Sequence, residues 1–271
     1  MRITKAIIAV AGWGTRRLPI TRSIEKCMLP VGNRPVVDYI VQDCVLAGIT
    51  DIYFVVNQGD TQLEKYYTQN PRLQQYLQQA NKPEYLRFTS PPPNVRFFYI
   101  DQDTSQRYGT AIPVGLCAPY IKPGESVAFM TGDDFIYNAD GSSELARQIV
   151  QTPEGECSML SVAVDQQSVS RYGVIEFNDN GQYYQTVEKP EPENAPSNYI
   201  NVSSYVLNYD MIKMIESYNN ANITGEYRIT DPINQFVLTG GAMNVVQAQG
   251  QYLDAGDVYT WHHANKVVLG L

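Results

Sequence analysis

The residues best placed to do chemistry start at position 11: Ala11-Gly12-Trp13-Gly14-Thr15-Arg16-Arg17-Leu18-Pro19. Two glycines followed by the Thr15 hydroxyl and the Arg16 guanidinium suit an anion. Glycine lets backbone N–H groups approach it closely, and an arginine fork can grip phosphate oxygens through paired hydrogen bonds. The same two glycines also make an ordinary tight turn, so alone they do not decide between the readings. The stretch is not a dinucleotide fingerprint, because Arg17 stands where the third glycine belongs, and no Gly-Lys-Ser/Thr follows as in a Walker A loop. Lys26 follows in Lys26-Cys27-Met28-Leu29-Pro30, and carboxylates recur at Asp133-Asp134, at Glu188 beside Lys189, and at Asp254. Each of these also has a local reading, as a strand-end turn, an exposed ion pair or a turn.

Other chemistries lack equipment. The two histidines, His262 and His263, are adjacent and have no metal-ligand spacing to another His or Cys, which argues against zinc. No nucleophile-elbow motif is present. The four cysteines, Cys27, Cys44, Cys117 and Cys157, form no CxxC pair, and reduced thiols in a cytoplasmic protein are the simplest expectation. Across 271 residues the net charge is −8, which disfavours a nucleic-acid partner. No stretch approaches the roughly 20 apolar residues of a membrane span, and the apolar run near the start reads as a strand rather than a leader.

The elements that must position these residues alternate in type. Residues 3–11, 51–57, 95–100 and 126–132 are short apolar runs suited to strands buried on both faces. Between them, residues 35–47 carry a helical apolar face ending at Gly48. Residues 60–79 read as polar helix broken at Pro71, and Thr110 is placed to cap a helix reaching about residue 118. Such alternation predicts parallel βαβ units. After about residue 150 the pattern changes to strands at 157–164, 172–178, 182–188 and 198–207, with Asn178-Asp179-Asn180-Gly181 as a hairpin turn. Asn208, Thr230 and Asp257 are expected helix caps. The fold class is therefore α/β: a Rossmann-like open, mixed, mostly parallel sheet flanked by helices, with an antiparallel subregion. One domain, 1–271, is expected, with halves meeting near residue 150.

The block AGWGTRRLPITRSIEKCMLPVGNRP resembles the AGxGTRxLPxTKxxPKxMLPxxxKP signature of sugar-nucleotide pyrophosphorylases, enzymes that join a nucleoside triphosphate to a sugar-1-phosphate. It is most similar to the branch that transfers uridylyl groups to glucose-1-phosphate. Departures are Glu25 for a usual proline, Cys27 for a glutamate, and Asn33-Arg34 for Asp-Lys. The resemblance continues through Gln102, Gly109-Thr110-Ala111, Gly132-Asp133-Asp134, Tyr172-Gly173-Val174, Val187-Glu188-Lys189-Pro190, Gly225 to Asp231 and Tyr252 to Gly256. Ser203-Ser204 stands where glycine is frequent.

This resemblance implies roles. Ala11, Gly12, Gly14, Thr15 and Arg16 would hold the triphosphate, and Gln102, Gly109 and Thr110 the base. Lys26 would add charge at the α-phosphate. Gly173, Glu188 and Lys189 would take the sugar phosphate, making the antiparallel subregion the sugar-binding one. Asp133 and Asp254 would hold Mg²⁺. Arg16, Lys26, Asp133 and Lys189 would form the catalytic set. The implied partners are UTP, glucose-1-phosphate and the product UDP-glucose, in a homo-oligomer (dimer or tetramer). The alternatives are a thymidylyl or other nucleotidyl transferase on the same scaffold, and a catalytically silent sugar-nucleotide sensor. A nicotinamide dehydrogenase is disfavoured by Arg17 and by Asn57, which ends the second strand where an acidic residue is needed.

Overall fold

The computed structural model of the chain describes residues 2–105 and 107–271. Strand β1 (Lys5–Ala9) leads through 3₁₀ turns at Thr15–Arg17, Ile20–Arg22 and Lys26–Met28 into a short hairpin, β2 (Pro30–Val31) and β3 (Arg34–Pro35). Then come α1 (Val36–Leu46), β4 (Asp51–Asn57), α2 (Gln62–Tyr66), α3 (Pro71–Gln79), β5 (Arg96–Gln102), α4 (Ile112–Cys117), β6 (Ser126–Thr131), β7 (Asp134–Tyr137) and α5 (Glu144–Gln151). The second half runs β8 (Cys157–Ala163), β9 (Gly173–Phe177), β10 (Tyr183–Glu188), β11 (Tyr199–Asn208), α6 (Tyr209–Asn220), α7 (Thr230–Leu238), β12 (Met243–Gln247), β13 (Gln251–Asp254) and α8 (Val258–Leu269).

Strands β6, β1, β4 and β5 lie side by side and parallel. β11 joins the same sheet antiparallel to β6 and carries β8 and β9, with β10 antiparallel at the far edge. The sheet is thus mixed, parallel where the first half builds it and mostly antiparallel where the second half does, as its alternation of elements implied. Strand β4 is buried at all seven positions, which explains its unbroken apolar run. One apolar cluster fills the face under α1 and another the face under α4, α6 and α7. The carboxyl ends of β1, β4, β5 and β6 consequently open on one rim, where open α/β sheets bind ligands.

Two cap expectations need correction, while residues 60–79 form two helices with the break expected at Pro71. Pro71 begins the second at a position where its missing N–H costs nothing, and the Asn70 side chain accepts from Leu73 N–H (3.0 Å). Thr110 does not cap α4; its hydroxyl accepts from Ile229 N–H (3.0 Å). Thr230 does not cap α7; its hydroxyl donates to Glu188 Oε1 (2.8 Å). Asn208 and Asp257 do cap, the latter in a reciprocal capping box with Thr260.

All four cysteines are buried and unbridged. Burial raises the Cys117 and Cys157 thiols to about 12 and pushes Cys27 and Cys44 well above the ordinary thiol range too. A thiolate-selective reagent at mildly alkaline pH should therefore find no reactive cysteine in the folded protein and all four after unfolding. Rapid labelling of any one would show that its surroundings open.

Candidate active site

The end of β1 is tied to its neighbour before the glycine turn starts. Val10 and Ala11 N–H both donate to Val55 O (2.9 and 2.8 Å). Gly14 then turns left-handed (φ 59°), and a side chain there would meet Thr21 Cγ2 at 2.9 Å and Lys26 Cβ at 3.2 Å. Thr21 donates its hydroxyl to Gly14 O (2.9 Å), folding the turn back on the segment that carries Lys26. The glycine is needed both for its conformation and for this close approach. Thr15 and Arg16 are left exposed beyond it, and Arg17 points inward, 1% exposed.

Two cations meet Asp133. Lys26 Nζ lies 2.5 Å from its Oδ2, and Arg17 Nη2 lies 3.6 Å from the same oxygen. Arg17 Nη1 also donates to Lys26 O (3.1 Å). Burial disfavours a charge on Asp133, yet attraction from Lys26, then Arg17 and Arg16, outweighs it and holds the carboxyl below its ordinary range. Asp254 is brought in by a backbone bond from Ala255 N–H to Asp133 O (2.9 Å). Burial, helped by repulsion from Asp133, moves Asp254 the other way, upward, against the pull of a hydrogen bond from Gly256 N–H. Arg171 Nη2 stands 3.6 Å from Asp254 and 2.9 Å from Asp257. Arg16 reaches the same place, because a side chain on Gly256 would meet its Nη2 at 3.1 Å.

Asp134 is not a solvated turn residue. It opens β7, accepts hydrogen bonds from Thr131 and Tyr252, and is pushed up to about 8 by burial and by Asp133.

Gln102 ends β5, in register with Asn57 of β4. It is buried, and its Oε1 has no hydrogen-bond partner among the described residues, an acceptor left open at the rim. Gly109 (φ 128°) lies against the backbone of Tyr227; a Cβ would fall 2.4 Å from Tyr227 O. Bonds from Ala111 N–H to Tyr227 O and from Tyr227 N–H to Tyr108 O (both 2.9 Å) close this contact. Gly109 is thus accounted for by packing in this chain, whatever it also offers a ligand.

On the antiparallel side, Gly173 pairs with Glu188 across β9 and β10. A side chain on Gly173 would meet Thr186 Cγ2 at 2.8 Å and Glu188 Oε1 at 3.2 Å. Lys189 is exposed, in the left-handed region (φ 47°), and donates its N–H to Tyr172 O (2.9 Å). The Tyr172 ring packs edge-on against Tyr252, the phenol that holds Asp134. Arg16, Lys26, Asp133 and Asp254 therefore converge at the strand ends, while Glu188 and Lys189 lie on the antiparallel side, Lys189 tied by its backbone to Tyr172.

Arg17 and Arg171 were not singled out by sequence pattern as members of this cluster, and Asp134 was noted only as the neighbour of Asp133. The second guanidinium in Arg16-Arg17 is the one signal that could have found Arg17.

A sequence profile of the nucleotidyl transferase family matches residues 5–269. The UTP–glucose-1-phosphate uridylyltransferase of Haemophilus ducreyi is 33% identical over 267 residues, covering 93% of this chain and 88% of that one. Among solved structures, the UTP-bound UGPase from Acinetobacter baumannii superposes with a TM-score of 0.87 at 26% identity, over 98% of this chain and 93% of that one. A UDP-glucose pyrophosphorylase complexed with UDP-glucose superposes with a TM-score of 0.81 at 25% identity, over 99% of both chains.

Proposed function

The chain belongs to the nucleotidyl transferase family, and from that premise we propose that it condenses UTP with glucose-1-phosphate to give UDP-glucose and pyrophosphate. The observation that carries the proposal is the meeting of Arg16, Lys26, Asp133 and Asp254 at the rim of the parallel strands. The reaction needs such a place. A phosphate oxygen of the sugar phosphate attacks the α-phosphorus in line, the bond to the β-phosphate's bridging oxygen breaks, and pyrophosphate leaves. The attacking group is already an anion, so no general base is required. What is required is that two polyanions be brought together and that charge on the leaving group be met.

The chain's residues divide that work. The backbone of residues 11–15 and Arg16 grip the triphosphate. Lys26 leaves Asp133 and meets the α-phosphate. Gln102 turns its open acceptor toward a base N–H, beside Gly109 and Thr110. Glu188 accepts from sugar hydroxyls over Gly173, and Lys189 holds the sugar's phosphate.

Asp133 and Asp254 fit a divalent cation. They are neighbouring carboxylates, joined by the Ala255 N–H to Asp133 O bond, and nearby cations hold Asp133 below its ordinary range. One or two carboxylates completed by phosphate oxygens is the ordinary donor set of Mg²⁺. Bound there, Mg²⁺ would supply positive charge to the α- and β-phosphate oxygens. Among the described residues no helix is long and apolar enough to cross a membrane, and the proposal places the enzyme in the cytoplasm as a homo-oligomer.

The test is pyrophosphate release with Mg²⁺, using UTP, dTTP, CTP, ATP and GTP against glucose-, galactose- and N-acetylglucosamine-1-phosphate. UTP with glucose-1-phosphate should turn over fastest. A dTTP preference would move the chain to the thymidylyl branch, and binding without release in every pair would make it a sensor. Lys189→Ala should raise KM for the sugar phosphate roughly tenfold or more, the scale of a lost charge-assisted hydrogen bond, and leave KM for UTP within about twofold. The reverse pattern would remove Lys189 from the sugar-phosphate site.

A further inference from the structure

Arg17 occupies a position that the family signature leaves open, yet its side chain is buried against the catalytic aspartate. Its Nη1 donates to Lys26 O, its Nη2 lies 3.6 Å from Asp133 Oδ2, and neither Nε nor Nη2 makes a hydrogen bond among the described residues. A guanidinium in such a place is hard to explain as a stabilising device. Burying a charge is costly, and a hydrophobic side chain of similar volume often serves as well or better. Asp133 already has a nearer partner in Lys26 Nζ, at 2.5 Å.

The two cations differ in freedom. Lys26 is partly exposed, and its ammonium sits on a flexible stem; Arg17 is enclosed and anchored to the Lys26 carbonyl. In the free chain Lys26 rests on Asp133, but the reaction proposed above requires Lys26 at the α-phosphate. Breaking that pair would cost the full desolvation of a partly buried carboxylate if nothing else faced it.

We infer that Arg17 is a positioning residue: a fixed counter-ion for Asp133 that frees Lys26 to pass from the carboxylate to the substrate phosphate. The inference rests on the nucleotidyl-transfer reading and adds a residue which the signature does not specify. It requires the positive charge at position 17, not merely the volume. In Arg17→Met only the more distant Arg16 remains among the chain's own cations to replace Lys26 beside Asp133, so the Lys26–Asp133 pair holds Lys26 back.

The experiment compares Arg17→Met and Arg17→Lys with the unmodified chain, on whichever nucleotide and sugar-phosphate pair the panel finds fastest, with thermal unfolding measured alongside. Arg17→Met should lower kcat roughly 10–100-fold, less than or comparable to losing a direct donor. KM for the sugar phosphate should stay within about twofold, and the unfolding midpoint should not fall. Arg17→Lys should recover most of the lost kcat. A lowered midpoint with unchanged kcat in the folded fraction would make Arg17 structural and overturn the inference, as would an Arg17→Lys variant no faster than Arg17→Met. Failure of the uridylyl reading would be seen separately, in which pair turns over. If no pair does, the hand-over has no reaction to serve and falls with that reading.

Discussion

Lys26→Ala should cut kcat roughly 10³-fold, about 4 kcal/mol of lost transition-state stabilisation, while the protein stays folded. The separation of the two effects comes from the surroundings of Asp133. Removing the ammonium takes away the cation 2.5 Å from the carboxylate, but Arg17 still faces the same oxygen and Arg16 still acts on it from farther away. Asp133 is not left alone, so an unfolding midpoint near that of the unmodified chain is expected. In the proposed division of roles glucose-1-phosphate would meet Glu188 and Lys189 on the antiparallel side, so its KM should change by no more than about twofold. Steady-state kinetics and thermal unfolding on one preparation check this. Turnover at the unmodified rate would sink the role given to Lys26. Lys26→Arg should restore only part of the activity, because a planar fork delivers its charge in a different shape from a compact ammonium on a flexible stem.

The contrast between the residues read from sequence and those that were not has a physical basis. Strand β4 was legible because a strand covered on both faces must be apolar throughout, and its run coincides with the strand, Asp51–Asn57. The glycine turn was legible because its requirement is local: a left-handed residue folded against Thr21 and Lys26, all within a dozen positions. Thr110 and Thr230 mislead because cap rules are also local. Each hydroxyl stands where a cap would, and each is engaged instead by a partner distant in sequence, Ile229 N–H or Glu188. Arg17 carries no local signal of burial. Its place depends on Asp133, which follows β6, and the parallel pairing of β1 with β6 brings the segments after the two strands together. Asp134 likewise looks like a turn residue until β13 pairs with it through Asp254 and Tyr252 covers it. The order of the motifs along the chain was readable; which charges balance one another across the rim was not.

Asp133→Asn should be the more damaging change, because it removes the partner of two cations that are not equally able to do without it. Lys26 can turn its ammonium into water. Arg17 cannot: its side chain is fully enclosed, and an uncharged amide leaves its guanidinium with the Lys26 carbonyl and the more distant Asp254 carboxylate. Removing one member of a buried pair typically costs about 3–5 kcal/mol, and a loss of that order is expected in urea unfolding, beside a fall in kcat at least as large as that of Lys26→Ala. The two losses have different origins and can be separated. With Arg17→Met in the background no buried cation remains to be stranded, so Asp133→Asn should then cost less than about 1 kcal/mol of stability while still abolishing turnover. The coupling between positions 17 and 133 is the measured quantity. If the two substitutions simply add in stability, Arg17 and Asp133 do not depend on one another, and the charge balance assigned to this rim is wrong.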